Sequence, residues 1–155
     1  MFIVTAKFDK RKIIGGALIL VVLVAAAILL FSGGKDGEPA SLTAVVRSND
    51  QRVSYLESLG WLVTAKPIDE QTITIPRDFS DVYRTYNELQ MAQGFDLTKY
   101  AGLEAVRYTY EVTNHPSATG SVVADIIVYR NEIIAGDIQC VSADGFMAGL
   151  SFPAV

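Results

Sequence analysis

The sequence predicts an α+β domain carried behind a single N-terminal transmembrane helix. Three observations predict it. Residues 13–31 carry no charge and nothing more polar than glycine, the stretch from Phe79 to Ala92 repeats apolar residues at helical spacing, and much of residues 104–141 alternates at the period of a strand. The expected order is helix, strand, strand, helix, then three strands, with the helices on one face of a mainly antiparallel sheet.

The run IIGGALILVVLVAAAILLF, residues 13–31, would extend about 28 Å as a helix, close to the ~30 Å hydrocarbon core of a bilayer. A lone span must pair its own backbone groups, and a helix does so. Before it stand Lys7, Lys10, Arg11 and Lys12 against one acid, Asp9; residues 35–155 hold nine Lys/Arg against sixteen Asp/Glu. Cations next to a first span stay in the cytoplasm, so residues 1–12 read as a cytoplasmic tail and the C-terminal domain as extracytoplasmic. A cleaved signal peptide is the competing reading, but its apolar core runs to roughly 7–15 residues, and only Ser32-Gly33-Gly34 offers a cleavage site. No cysteine stands directly after the span, which excludes a lipid-modified terminus. Gly15 and Gly16 have Ile19 and Leu20 four residues on, so no small-residue stripe marks the span for dimerisation.

Residues 32–43, SGGKDGEPASLT, read as a linker, and 44–155 as one domain. Ser48 or Asn49 caps a first helix with Val53, Leu56 and Leu59 on one side, and Gly60 stops it. Trp61–Ala65 reads as a short strand ended by Lys66-Pro67, and Glu70–Ile75 as a second closed by Pro76. Asp78 or Ser80 caps the next helix, whose apolar stripe is Phe79, Val82, Tyr83, Tyr86, Leu89 and Ala92. Asp81, Arg84, Glu88 and Gln90 are expected to face water, and Gly94 ends the helix. A connector through Phe95, Leu97 and Tyr100 leads to Glu104–Val112, which alternates Val106, Tyr108, Tyr110 and Val112 with polar residues. After the polar loop 113–120, Ser121–Tyr129 is apolar on both sides except at Asp125 and reads as a central strand. A tight turn at Arg130-Asn131-Glu132 sends Ile133–Val141 back along it.

The segments RVSYLESLGW, FSDVYRTYNELQMAQGFDLTKYAG, VRYTYEVTN, VVADIIVYRNEIIAGDI and DGFMAGL resemble the family called domain of unknown function 4830. The likeness covers about Asn49 to Leu150. It implies small membrane-anchored proteins of Gram-positive anaerobic bacteria with no assigned activity, and so agrees with the topology while adding no chemistry.

The residues themselves point away from catalysis. Cys140 is the only cysteine, which excludes an internal disulfide, and reads as a small buried hydrophobe. His115 is the only histidine; with no second imidazole or thiolate nearby in sequence it reads as a solvated loop residue. Asp125 interrupts an apolar strand, so its carboxylate needs a partner: Arg107 on the preceding strand, or the solvent face. Asp137 and Asp144 could join it in a carboxylate cluster, although Asp144-Gly145 alone is far from a calcium loop. No phosphate loop, G-x-S-x-G elbow or H-E-x-x-H occurs. No cofactor is implied. The seven tyrosines read as packing residues before they read as a peptide or glycan groove.

The expectation is therefore a non-catalytic interaction or sensory domain outside the membrane, with an unidentified protein or peptide as partner. Two other classes are an inhibitor or modulator of an extracellular enzyme, and an enzyme using acidic residues alone; the shortage of His, Cys and Lys counts against the second. The acidic balance excludes nucleic acid. Apolar residues persist to the C-terminus, where a chain would ordinarily turn polar. The candidate partner surface accordingly lies there, at Asp137, Asp144, Phe146 and Met147.

Overall fold

A computed structural model describes residues 42–116, 120–142 and 145–153. The expected tail 1–12, the span 13–31 and all but the end of the linker lie outside them; among the described residues no helix is long and apolar enough to cross a membrane. The elements are α1 (Asn49–Ser58), β1 (Asp69–Thr74), α2 (Asp81–Met91), a 3₁₀ turn (Leu97–Tyr100), β2 (Glu104–Val112), β3 (Val122–Tyr129), β4 (Glu132–Cys140) and β5 (Met147–Ala148). The five strands form one antiparallel sheet in chain order, β1 to β5.

The hairpin of β3 and β4 is its centre. Arg130 and Asn131 have φ of 48° and 70°, the left-handed pair that a two-residue turn needs if its twist is to match the strands. Two residues from the turn the register slips: Val128 pairs with Ile133 but Ile127 pairs with Ala135, so Ile134 is extra. This bulge moves every later side chain of β4 to the face it would otherwise leave.

Both faces of β3 and β4 are buried, and a helix covers each. On one face Leu56 of α1 and Trp61 pack with Tyr110, Ala124, Ile126 and Ile138. On the other, Phe79, Tyr83 and Tyr86, from α2 and its approach, pack against Ile127, Ile134 and Ala135. The expectation of helices on one face is corrected here. Strands apolar on both sides expose too much surface for a one-sided cover, and Ile126 and Ile127 point opposite ways by the pleat.

Ser48 caps α1 by accepting from Gln51 N–H, and Ser80 caps α2 by accepting from Tyr83 N–H. Gly60, at φ 99°, closes α1 with its N–H on Glu57 C=O, while Trp61 N–H donates to Leu56 C=O. The expected strand at Trp61–Ala65 is reduced to one bridge, Val63 to Val112. Leu62 N–H donates to Asn114 Oδ1 instead of extending a ladder, and Asn114 Nδ2 donates to Gly60 C=O. The fifth strand is β5, made by the apolar C-terminal residues.

The inward face of α2 also differs from its apolar stripe. Asn87 and Gln90 are buried whereas Val82 and Met91 are exposed. β5 pairs with β4 only at Ile138 and Gln139, so at Gly136 the outward backbone groups of β4 lack a strand. Two glutamines take that place. Gln90 Oε1 accepts from Gly136 N–H (3.0 Å), Gln93 Nε2 donates to Gly136 C=O (3.0 Å), and Gln93 Oε1 accepts from Leu150 N–H (2.6 Å). The Gln93 amide thus lies between Gly136 and Leu150 as a peptide unit would. Glycine is required there: a Cβ on Gly136 would stand 2.6 Å from Leu150 Cδ1 and 2.9 Å from Asp125 C=O.

Gly136→Ala should therefore cost about 1–3 kcal/mol by overpacking. Gln93→Ala should cost about 2–4 kcal/mol, because a buried N–H and a buried C=O lose their partner together. Denaturant unfolding of the two variants measures both; losses below about half a kcal/mol, typical of surface changes, would remove the glutamines from any structural role.

Candidate functional site

A polar row crosses the sheet beneath α2. Strand pairing sets Asp69 opposite Thr109, Thr109 opposite Asp125, and Asp125 opposite Asp137, one residue from each of β1 to β4. Such neighbours have Cβ atoms about 4.5–5.5 Å apart. The row runs from exposed to enclosed: Asp69 is exposed, while Asp125 and Asp137 retain 5% and 2% of their accessible surface.

Each carboxyl has identifiable donors. Thr109 Oγ1 donates to Asp125 Oδ1, Gln139 Nε2 donates to Asp125 Oδ2 at 2.8 Å, and the Tyr86 hydroxyl of α2 donates to Asp137 Oδ2 at 2.9 Å. Asp137 Oδ1 is buried and has no hydrogen-bond partner among the described residues. The expected ion pair between Asp125 and Arg107 does not form. Arg107 Nη2 instead donates to Gln71 Oε1 (2.9 Å) and approaches Asp69 Oδ2 (3.4 Å), leaving its Nε buried without a partner. Arg107 sits opposite Gln71 and Ile127, one step along the strands from the carboxylate row, so its head follows β1 rather than crossing to Asp125.

Burial raises the pKa of both carboxyls. For Asp125 the hydrogen bond from Thr109, the charge on Arg107 and the bond from Gln139 partly oppose this. Asp137 is pushed well above the ordinary carboxylate range, first by desolvation and then by the Asp125 charge beside it. The Tyr86 hydroxyl is likewise held well above the ordinary phenol range, by desolvation and then by Asp137. Two like charges at this separation in a dry site cannot both form cheaply, so the pair titrates as a unit.

Of the candidate partner surface, Asp137 and Met147 are enclosed rather than exposed, Met147 with 4% of its surface accessible and paired across to Gln139. Phe146 is half-buried in the core on the α1 side, 4.9 Å from the His115 ring, and Asp144 lies outside the described residues. Asp137, Phe146 and Met147 therefore form no common surface: the β5 ladder turns Met147 toward the carboxylate face and Phe146 to the opposite one. His115, expected in solvent, is half-buried and stacked on Trp61 at 5.8 Å, and desolvation holds it below the ordinary imidazole range. Cys140 is buried, its sulfur 3.4 Å from Ser142 Oγ. Among the described residues no three His, Cys, Asp or Glu side chains converge to hold a metal ion. A shallow groove of about 530 Å³ beside α2, lined by Arg77, Phe79, Arg84, Asn87 and Met91, does not include the carboxylate pair.

Thr109, Gln139, Asn87, Gln90 and Gln93 belong to this buried polar layer; sequence reading did not single out four of them and expected Gln90 to face water. Asn87, Gln90 and Gln93 carried one usable signal, their helical spacing from Tyr83 and Tyr86, whereas Thr109 and Gln139 lie on strand faces that alternation reads as polar.

Tyr86→Ala should cost about 2–4 kcal/mol, as for other buried aromatics truncated to alanine. Tyr86→Phe, which keeps the ring and removes the donor to Asp137, should cost about 1–2 kcal/mol. Equal losses from the two would show that the hydroxyl carries the whole contribution; no loss from the second would show that Asp137 needs no donor.

No curated protein and no solved structure matches the chain. The family model described as a domain of unknown function (DUF4830) matches residues 55–138, which run from within α1 to near the end of β4 and include Tyr86, Thr109, Asp125 and Asp137. That match spans more than half of the chain, and the chain belongs to the DUF4830 family.

Proposed function

We propose that this chain is a non-catalytic interaction domain held outside the cell by one transmembrane helix, residues 13–31, with residues 1–12 in the cytoplasm. The charge split across residues 13–31 supports the orientation. The enclosure of Asp125 and Asp137 weighs against their acting on a substrate, because general acid–base work requires hydrogen-bond reach to the reacting group.

The unequal finish of the sheet's two edges carries the interaction reading. The β4 edge is closed along its length. Ile133 N–H donates to Ala44 C=O, Gln90 and Gln93 take up Gly136, β5 pairs with Ile138 and Gln139, and Cys140 N–H donates to Phe146 C=O. Among the described residues no strand pairs with the outer edge of β1. Ile75 N–H bonds Leu103 C=O, which sets the phase of the ladder: Asp69, Gln71 and Ile73 bond to β2, and Glu70, Thr72 and Thr74 direct their backbone groups outward. Ile68 and Leu103, near either end of this edge, are 57% and 38% exposed. An open edge of this kind accepts an added strand.

A photo-crosslinking residue at Thr72 of the full chain, in intact cells, tests the edge against the same residue at Ser54 on exposed α1. A discrete adduct from Thr72 alone is the expected outcome; equal or absent adducts at both would remove the edge as a contact surface. External protease should digest the domain while a tag before Met1 survives. An exposed tag would reverse the orientation.

A further inference from the structure

We propose that Asp125 and Asp137 hold a single proton between them, and that this proton latches α2 to the sheet. The inference is independent of what the domain binds.

Four observations carry it. The two residues are direct cross-strand partners on the face that α2 covers, and the bulge at Ile134 is what puts Asp137 on that face. Both are closed to solvent. The nearest cation is committed elsewhere, Arg107 lying against Asp69 and Gln71. Finally, the donors are unequal: Asp125 receives one on each oxygen, as a carboxylate wants, whereas Asp137 receives one on Oδ2 and, among the described residues, none on Oδ1. A buried carboxylate oxygen with no donor is costly. A hydrogen on Oδ1 removes the charge and turns that oxygen into a donor, and the Asp125 oxygens retain lone pairs to accept it.

The latch is the Tyr86 hydroxyl, which joins α2 to Asp137. The titratable and charged groups around the pair are Tyr86 and Tyr83 on α2, Arg107 on β2 and Asp69 on β1. The tyrosines stay neutral throughout, and Arg107 and Asp69 offset each other. Removing the shared proton therefore places a second negative charge against the first, with only Tyr86 and the offset Arg107 to oppose it. The response is hydration of the row, which requires α2 to lift.

The sign of the pH dependence follows. The folded protein binds this proton more tightly than the unfolded chain, whose aspartates titrate near pH ~4. The stabilisation is fully present below that value and is lost as pH rises through the raised folded value, so stability falls with alkalinity. A carboxyl whose folded value is depressed by a cation or by hydrogen bonds gives the opposite slope. His115 on the α1 side, its folded value depressed, also gives the opposite slope, losing stability as pH falls below about 6.5.

The test is a pH titration of the full chain in mild detergent, followed by carbon NMR of the aspartate carboxyls and by thermal midpoint, in a His115→Gln background. One carboxyl of the pair should stay protonated well above pH ~4, the ordinary aspartate range. The amides of Tyr83–Gln90 should shift on the same curve while the Trp61 indole, on the opposite face, stays still. The midpoint should fall over that range, and Asp137→Asn, uncharged at every pH, should abolish the fall. Ordinary titration of every aspartate, or a midpoint indifferent to pH, would overturn the shared proton. A titration that leaves the α2 amides unmoved would overturn the latch. If Asp137→Asn does not fold, the native titration decides both points alone.

Discussion

The structure depends on the register of β3 against β4. Their hairpin turn is short and fixed, yet the single extra residue at Ile134 decides which side chains meet beyond it. Without it Asp137 would be opposite Ala124, on the face packed by Trp61 and α1 and away from the Tyr86 hydroxyl. With it, Asp137 joins Asp125, while Ile133 and Ile138 both remain in the α1-side core and Ala135 packs beneath α2. A period-two element has only two settings, and the bulge selects the one in which each polar residue has a donor within reach.

The same choice divides the molecule into a dry side and a polar side. The α1 face is filled by Trp61, Leu56, Tyr110 and Ile126, with the indole N–H donating to Leu150 C=O 2.7 Å away. The α2 face mixes Ile127, Ile134 and Leu97 with Asp125, Asp137, Gln90 and Gln93. Burial on the first side needs fit and a few bonds at its rim, such as Arg52 Nε to the Tyr110 hydroxyl. On the second, each group also has to find a partner, and the helix supplies it through Tyr86, Gln90 and Gln93. Specific placement of α2 follows from this, since a shift of one residue along the helix would strand several hydrogen bonds together.

Much of the architecture was legible in the sequence because hydrophobic period and turn chemistry report directly on local conformation. Ser48, Ser80, Gly60 and Gly94 mark the helix ends that the structure shows, and Arg130-Asn131 marks the hairpin. Ser121–Tyr129, apolar on both sides, already argued for a strand covered twice, in conflict with helices on one face; the strand was the sounder guide. What could not be read was polar burial. Gln90 on a helix looks like a solvent residue unless Gly136, 46 positions away, is known to need its carbonyl. Asp137 looked like a surface anchor because its face is set by a bulge, and no residue in Ile133-Ile134-Ala135 announces one. Arg107 was the natural partner for Asp125 by charge, but side-chain register gave it to Gln71 and Asp69.

At the N-terminal end of the described residues Leu42 N–H donates to Gln93 C=O at 3.2 Å, and the chain then runs beside the hairpin, with Val45 bridging Glu132 and Val46 N–H on Asn131 C=O at 2.7 Å. Mechanical load arriving from the N-terminal side would therefore be borne in sequence. The Leu42 bond takes it first, at the residue whose side chain spans Gly136 and Leu150, and the contacts at the hairpin tip take it next. Leu42 also packs against the Trp61-side core, and its C=O accepts from the Tyr55 hydroxyl of α1 at 2.8 Å, so a pull would divide at once between the glutamine link and the α1 side of the sheet. A domain wired in this way would meet a pull from its N-terminal side with both layers together, the polar link at Gln93 and the apolar packing around Trp61 sharing the strain.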